Sequence, residues 1–214
     1  MYAGEIMNEF KMEANRFLMR DIVGYYHTEF GGVNYPRNPN FLYKLKNDPH
    51  HNWNLQDLRN AVNALYKVLS IDFPEIMRLV GLDSLTVCVV PRAKAENFYR
   101  PNQLLFKKTI RAYIHQSNLN FHDGTNFIIR HTNTRTTHLK LPIQGFENDG
   151  MMPYPGIAAD TCHFSPKING CDILLVDDVY TKTVNIDEDM VQALFNNGAK
   201  SVVFYAIGNT PRNF

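Results

Sequence analysis

The sequence predicts an α/β fold: a mostly parallel sheet flanked by helices, preceded by a helical N-terminal region. Three observations predict it. Residues 85–90, 173–176 and 201–207 are strand-length runs dominated by Val, Ile and Leu, the pattern of strands buried on both faces. Segments with apolar residues at helical spacing lie between them. Strands separated by helices in this way pair in parallel, with the helices covering the sheet.

From the N-terminus, Ile6, Phe10, Ala14 and Phe17 are spaced as one face of a helix. Gly31, Gly32, Pro36 and Pro39 punctuate a loop. Leu55, Leu58, Val62, Leu65 and Leu69 form an apolar stripe, with Asn52 or Asn54 as its cap. Asp72 and Pro74 open a third short helix that ends near Gly81. The first strand follows at 85–90. A helix over 101–115 carries Phe106, Ile110, Tyr113 and Ile114 on one side. Residues 127–129 and, more weakly, 157–163 read as strands, and Asn169-Gly170 as a tight turn. The strand at 173–176 is the clearest in the chain. A helix over 187–197 stops at Gly198, and the last strand covers 201–207. The expected organisation is a helical region over 1–83, acting as a hood or partner interface, and an α/β core over 84–214.

Composition narrows the function. At 214 residues the chain buries roughly 70 % of its unfolded surface and needs no disulfide or metal to hold a core. The 22 bases and 21 acids give a net charge of +1, which argues against direct nucleic-acid binding through long-range phosphate attraction. Cys88, Cys162 and Cys171 are scattered and form no C-x-x-C, so neither a disulfide framework nor a zinc ribbon is expected. Cys88, inside a buried strand, is expected to be inert. No apolar run approaches the roughly 20 residues of a membrane helix. Glu5 and Glu9 stand where a secretion signal would be apolar, so the expected location is cytoplasmic.

In such a sheet, ligands bind beyond the carboxyl ends of the strands. The sharpest chemical signal lies there. Residues 173–176 are apolar, Asp177 and Asp178 follow, and Thr181, Lys182, Thr183, Val184 and Asn185 lead into a helix. Adjacent acids on a strand point to opposite sides and can grip two hydroxyls of one sugar or sit near a divalent cation. The hydroxyl-rich turn offers N–H groups to an anion at the helix N-terminus. Asp187, Glu188 and Asp189 crowd that helix's first turn, where they suit its dipole.

This segment resembles the phosphoribosyl-pyrophosphate (PRPP) signature of type I phosphoribosyltransferases, particularly ComF-like and amidophosphoribosyltransferase-like members. The resemblance covers about residues 84–208. It includes residues 198–203 as the last helix-to-strand step, and residues 90–94 with 100–103 as the pyrophosphate loop. Two positions depart from the pattern: Thr183 stands at the phosphate-loop glycine and Asn185 at the terminal Ser/Thr. Glycine there permits positive φ, which strains a β-branched residue.

The resemblance implies transfer of ribose 5-phosphate from PRPP to a nitrogen nucleophile, with release of pyrophosphate and Mg²⁺ as cofactor. Asp177 and Asp178 would hold the ribose hydroxyls, with Asp177 near the metal. Residues Thr181, Lys182, Thr183, Val184 and Asn185 would cup the 5′-phosphate. Arg92, Ala93, Lys94 and Arg100 would receive pyrophosphate. Arg130 and Arg135 would belong to a mobile loop over residues 131–155 and its approach. The alternative reading is a catalytically impaired subunit that senses PRPP or a nucleotide. Its partners would then be a larger assembly or a second copy, met through the N-terminal helices.

Overall fold

The structure, a computed structural model, describes residues 7–46, 53–136 and 148–211. In chain order the elements are β1 (Asn8–Met12), β2 (Ile22–Glu29), α1 (Phe41–Lys46), α2 (Leu55–Val80) and β3 (Leu85–Val89). They continue with α3 (Leu105–Gln116), β4 (Phe121–Asp123), β5 (Ile128–Arg130), α4 (Ile157–Thr161) and β6 (Cys162–Phe164). The chain closes with β7 (Asp172–Tyr180), α5 (Ile186–Asn196) and β8 (Ser201–Asn209). Six strands form one sheet in the order β1-β2-β8-β7-β3-β4. Only the β1–β2 pair is antiparallel.

The expected α/β architecture is therefore present, and alternation explains why its strands read as continuous apolar runs. Leu174 and Val176 of β7 face a core that includes Leu65, Leu69, Phe73 and Ile76 of α2. Ile173 and Leu175 face the opposite core, with Met190, Val191 and Leu194 of α5. Both faces are covered over residues 173–176, so that stretch of β7 is apolar at every position.

α2 begins where Asn54 accepts a hydrogen bond from the Asp57 N–H (2.8 Å). It ends at Gly81, whose φ of 64° permits the left-handed cap. The helix runs unbroken through Pro74, so the third short helix expected from Asp72 is its last turns. A proline inside a helix removes one backbone hydrogen bond. Leu69, Phe73 and Ile76, all fully buried, hold this stretch against the sheet regardless.

The region expected to be helical over 1–83 is so only in part: α1 and α2 are helices, but its first described residues are not. Residues 8–12 and 22–29 form β1 and β2, and β2 pairs in parallel with β8. The segment thus completes one edge of the same sheet that residues 84–214 build. The spacing of Phe10, Ala14 and Phe17 coincides with a helical period. Tertiary contacts decide otherwise: Phe10 stacks on Tyr180 (4.8 Å between ring centroids). Phe10 also lies over Gly24, where a Cβ would come within 2.5 Å of its ring. The signal for β2 was its β-branched and aromatic content, Ile22, Val23, Tyr25, Tyr26 and Thr28.

Two smaller corrections concern the middle of the chain. Residues 157–161 form the short helix α4, and only 162–164 are extended. β5 pairs antiparallel with β6, outside the main sheet. The three residues of β4 take the place beside β3; a strand this short leaves no readable period. Among the described residues no helix is long and apolar enough to cross a membrane.

Burial pushes the Cys88 thiol up to about 12. Cys162 is also buried and raised by burial, whereas Cys171 is partly exposed. A maleimide at neutral pH is expected to label Cys171 first and Cys88 only after denaturation. Peptide mass spectrometry reads this directly; rapid labelling of Cys88 in the native protein would show that β3 opens.

Candidate functional site

The chain leaves β3 toward β4 on one side, while β7 lies on the other. This reversal opens a crevice at the carboxyl ends of β3 and β7, where ligands bind in open α/β sheets. A cavity of about 520 Å³ lies there, with Val90, Asp177, Asp178 and Thr181 among its lining residues.

Strand pairing sets the position of the acids. β3 pairs with β7 as far as Val89 and Val176, and the Val90 N–H donates to the Val176 carbonyl (2.9 Å). β7 continues to Tyr180, paired only with β8. Asp177 and Asp178 therefore fall where β7 has lost its neighbour. Their side chains diverge, as successive strand residues do. Asp178 meets the Lys46 ammonium at the end of α1 (3.3 Å). Asp177 meets the side chain of Asp187 on α5. Burial and the nearby Asp178 charge push Asp177 up to about 7, against the pull of hydrogen bonds from Asp187 and the Asp178 N–H. Burial and the facing Asp177 hold Asp187 well above the usual carboxylate range.

The three acids at the head of α5 do more than complement its dipole. All are buried, and each has its own partner. Asp187 turns to Asp177. Glu188 accepts the Tyr180 hydroxyl (2.7 Å). Asp189 accepts the N–H groups of Gly156 (2.6 Å) and Ala158 (2.7 Å), which caps α4.

Of the five residues expected to cup phosphate, Thr181 and Val184 line the cavity. Thr181 shares a hydrogen bond with Thr210 (2.9 Å). Lys182 extends to Glu13 (2.7 Å), and Thr183 is exposed. Neither of these two nor Asn185 lines the cavity. The positive φ falls on Asn185 (57°), not on Thr183, so the strain expected of a β-branched residue does not arise. Asn tolerates this conformation.

Of the expected pyrophosphate residues, Arg92 and Ala93 reach the cavity. The Arg92 guanidinium donates to the carbonyls of Lys46 (2.6 Å) and Gln103 (2.7 Å), and lies over the Tyr99 ring. Lys94 is buried and turned to Asp149, both of whose oxygen contacts are at 2.6 Å. Arg100 is exposed and off the cavity.

Arg130 ends β5 and is 5 % exposed. It donates to the Arg92 carbonyl (2.7 Å) and to the Thr161 hydroxyl, so it is a fixed part of the cavity wall rather than of a loop. Arg135 lines the cavity and is exposed. Residues 137–147 of the expected mobile loop lie outside the described residues. Residues 133–134 are stitched to the loop after β3: Thr134 donates to the Ala93 carbonyl (2.7 Å), and Asn133 accepts the Ala95 N–H (3.0 Å).

Sequence reasoning missed Lys46, Asp187 as a cavity residue, and the aromatic walls formed by Phe30, Tyr43, Tyr99 and Phe106. Lys46 and the aromatics carry no local motif; they come from elements that only the fold brings together. Among the described residues no three His, Cys, Asp or Glu side chains converge as a metal-binding group. Asp177 and Asp178 are hard oxygen donors of the kind Mg²⁺ takes, but two carboxylates alone suit an ion that keeps several waters or substrate oxygens.

Fold and site together define an α/β protein with an acid-edged cavity at the switch point of a mostly parallel sheet. Comparison with protein-family models, with curated proteins and with solved structures finds no match.

Proposed function

We propose that the cavity binds PRPP and that the protein transfers ribose 5-phosphate to a nitrogen nucleophile, releasing pyrophosphate. The observation that carries this reading is the position of Asp177 and Asp178, at the carboxyl end of β7 and on the cavity at the switch point. The cavity volume, about 520 Å³, falls in the range of small-molecule sites. In this reading Asp177 and Asp178 accept the two ribose hydroxyls, and Thr181 with the following turn faces the 5′-phosphate. Arg92 and Arg135 face the leaving pyrophosphate. The ribosyl centre passes through an oxocarbenium-like state, so the main catalytic effects are alignment of the nucleophile and neutralisation of the leaving group. The aromatic walls exclude water that would otherwise capture the cation. Mg²⁺, carried on the diphosphate, supplies further positive charge to the leaving group.

A second reading is a subunit that senses PRPP or a nucleotide without turnover. It is favoured by the engagement of Lys94 with Asp149 and of Lys182 with Glu13, which leaves two of the expected phosphate cations tied to the protein. Calorimetry with PRPP and Mg²⁺, followed by a pyrophosphate-release assay with ammonia and nucleobases, decides between them. Binding with release supports the enzyme, and binding without release the sensor. Binding of nucleotides but not PRPP overturns the first reading.

A further inference from the structure

The cations on the cavity wall differ in what already meets them. The Arg92 guanidinium is taken by the carbonyls of Lys46 and Gln103, and Arg130 by the Arg92 carbonyl and the Thr161 hydroxyl. Lys46 instead meets a carboxylate of the cavity itself. Its ammonium faces Asp178 and lies 5.8 Å from the centre of the Phe30 ring.

The contact with Asp178 is loose. Nζ and Oδ2 are 3.3 Å apart, against 2.6 to 2.8 Å for Lys44–Asp57, Lys94–Asp149, Lys182–Glu13 and Lys200–Asp172. The backbone beneath it is held firmly. Leu42 and Leu45 are buried, and the Lys46 carbonyl accepts the Arg92 guanidinium (2.6 Å). A compact charge on a flexible four-carbon stem can therefore change partner while α1 stays in place.

A ligand hydroxyl that donates to Asp178 competes with Lys46 for that carboxylate. A ligand bringing only the hydroxyl leaves the ammonium, on a side chain 19 % exposed, short of a counter-charge. A ligand with an anion on the neighbouring carbon supplies one through a charge-assisted hydrogen bond.

We propose that Lys46 is a ligand-binding residue that exchanges Asp178 for an anion carried next to the hydroxyl that Asp178 holds, and so selects sugars phosphorylated at C1 with a free 2-hydroxyl. Naming the sugar as ribose and the anion as the diphosphate of PRPP rests on the proposed function; the exchange needs only the hydroxyl and its neighbouring anion. On that reading the 5′-phosphate faces the turn at Thr181 and does not replace Asp178 as the partner of Lys46.

Calorimetry on the full chain with Mg²⁺ compares the wild type with Lys46→Met, which keeps the apolar stem and removes the charge. The variant should bind PRPP roughly 10- to 100-fold more weakly, the loss of one hydrogen bond between charged groups. Ribose 5-phosphate has no anion at C1. It should bind the variant at least as tightly as the wild type, because Asp178 has lost its competitor. A merely structural lysine would weaken both ligands together. In the wild type alone, α-ribose 1-phosphate should bind roughly tenfold more tightly than ribose.

Equal changes for PRPP and ribose 5-phosphate in the variant would overturn the proposal while leaving PRPP binding in place. So would equal binding of ribose 1-phosphate and ribose by the wild type. If the wild type binds no PRPP, the proposed function fails. Ribose 1-phosphate then reads Lys46 in the same two proteins, and its failure to distinguish them overturns the exchange.

Discussion

A chain carrying both Asp177→Asn and Asp178→Asn is expected to lose PRPP affinity by roughly 10²- to 10⁴-fold while remaining folded. Each ribose hydroxyl that donates to a charged acceptor contributes about 1.5–3 kcal/mol, and tenfold in affinity corresponds to about 1.4 kcal/mol. Neither change should damage the core. The Asp178–Lys46 pair is partly exposed, at 25 % and 19 % of the two side chains, and such pairs contribute little to stability. Asn at 177 keeps the shape of the acid and can still meet Asp187. Circular dichroism and a thermal scan check the fold, and calorimetry reads the affinity. A folded double variant that binds PRPP like the parent would remove the acid pair from the site.

Phe73→Ala is expected to cost about 3–5 kcal/mol of folding stability. The ring is fully buried and meets Tyr113, Phe121 and Tyr205 edge-on, at centroid distances of 5.4, 5.3 and 5.8 Å. It thus ties α2 to α3, β4 and β8 at one point, and its removal leaves a cavity that none of these elements can fill alone. The adjacent Asp72 raises the stakes. Its carboxylate accepts the Tyr205 hydroxyl (2.5 Å) and meets His27 (2.9 Å) in the same interior, and any shift of α2 strains that buried network. With natural domains stable by roughly 5–15 kcal/mol, the variant should show a much lower urea midpoint at unchanged slope. A loss below about 1 kcal/mol would mean that the aromatic cluster repacks around the gap.

The pH dependence of the cavity follows from the raised Asp177. A carboxyl pushed up to about 7 by burial and a neighbouring charge is costly to ionise in the folded state. It therefore withdraws stability as pH rises above its unfolded value near 4. In the proposed function ligand binding runs the other way, because the ribose hydroxyls need the charged form as acceptor. On that reading the site gives up stability over the same pH range in which it gains the ability to bind.

The sequence by itself determined the parallel core and the acid pair. Strands buried on both faces read as near-continuous apolar runs, so β3, β7 and β8 are legible without context. Asp177 and Asp178 stand out because two charges at the end of such a run cannot be packing. Caps were legible too, at Asn52 or Asn54 and at Gly81, since a side-chain acceptor and a positive φ are local requirements; the structure chooses Asn54. Tertiary structure alone decided the rest. β1 and β2 take their conformation from β8 and from the stacking of Phe10 on Tyr180, which outweigh a helical spacing of a few apolar residues. Lys46 and Asp187 reach the cavity only because α1 ends and α5 begins beside β7. Arg130 and Lys94, cations suited to phosphate by type, are held instead by Arg92, Thr161 and Asp149. A residue's chemistry is written in its side chain, but its availability depends on which partner the fold brings within hydrogen-bond distance.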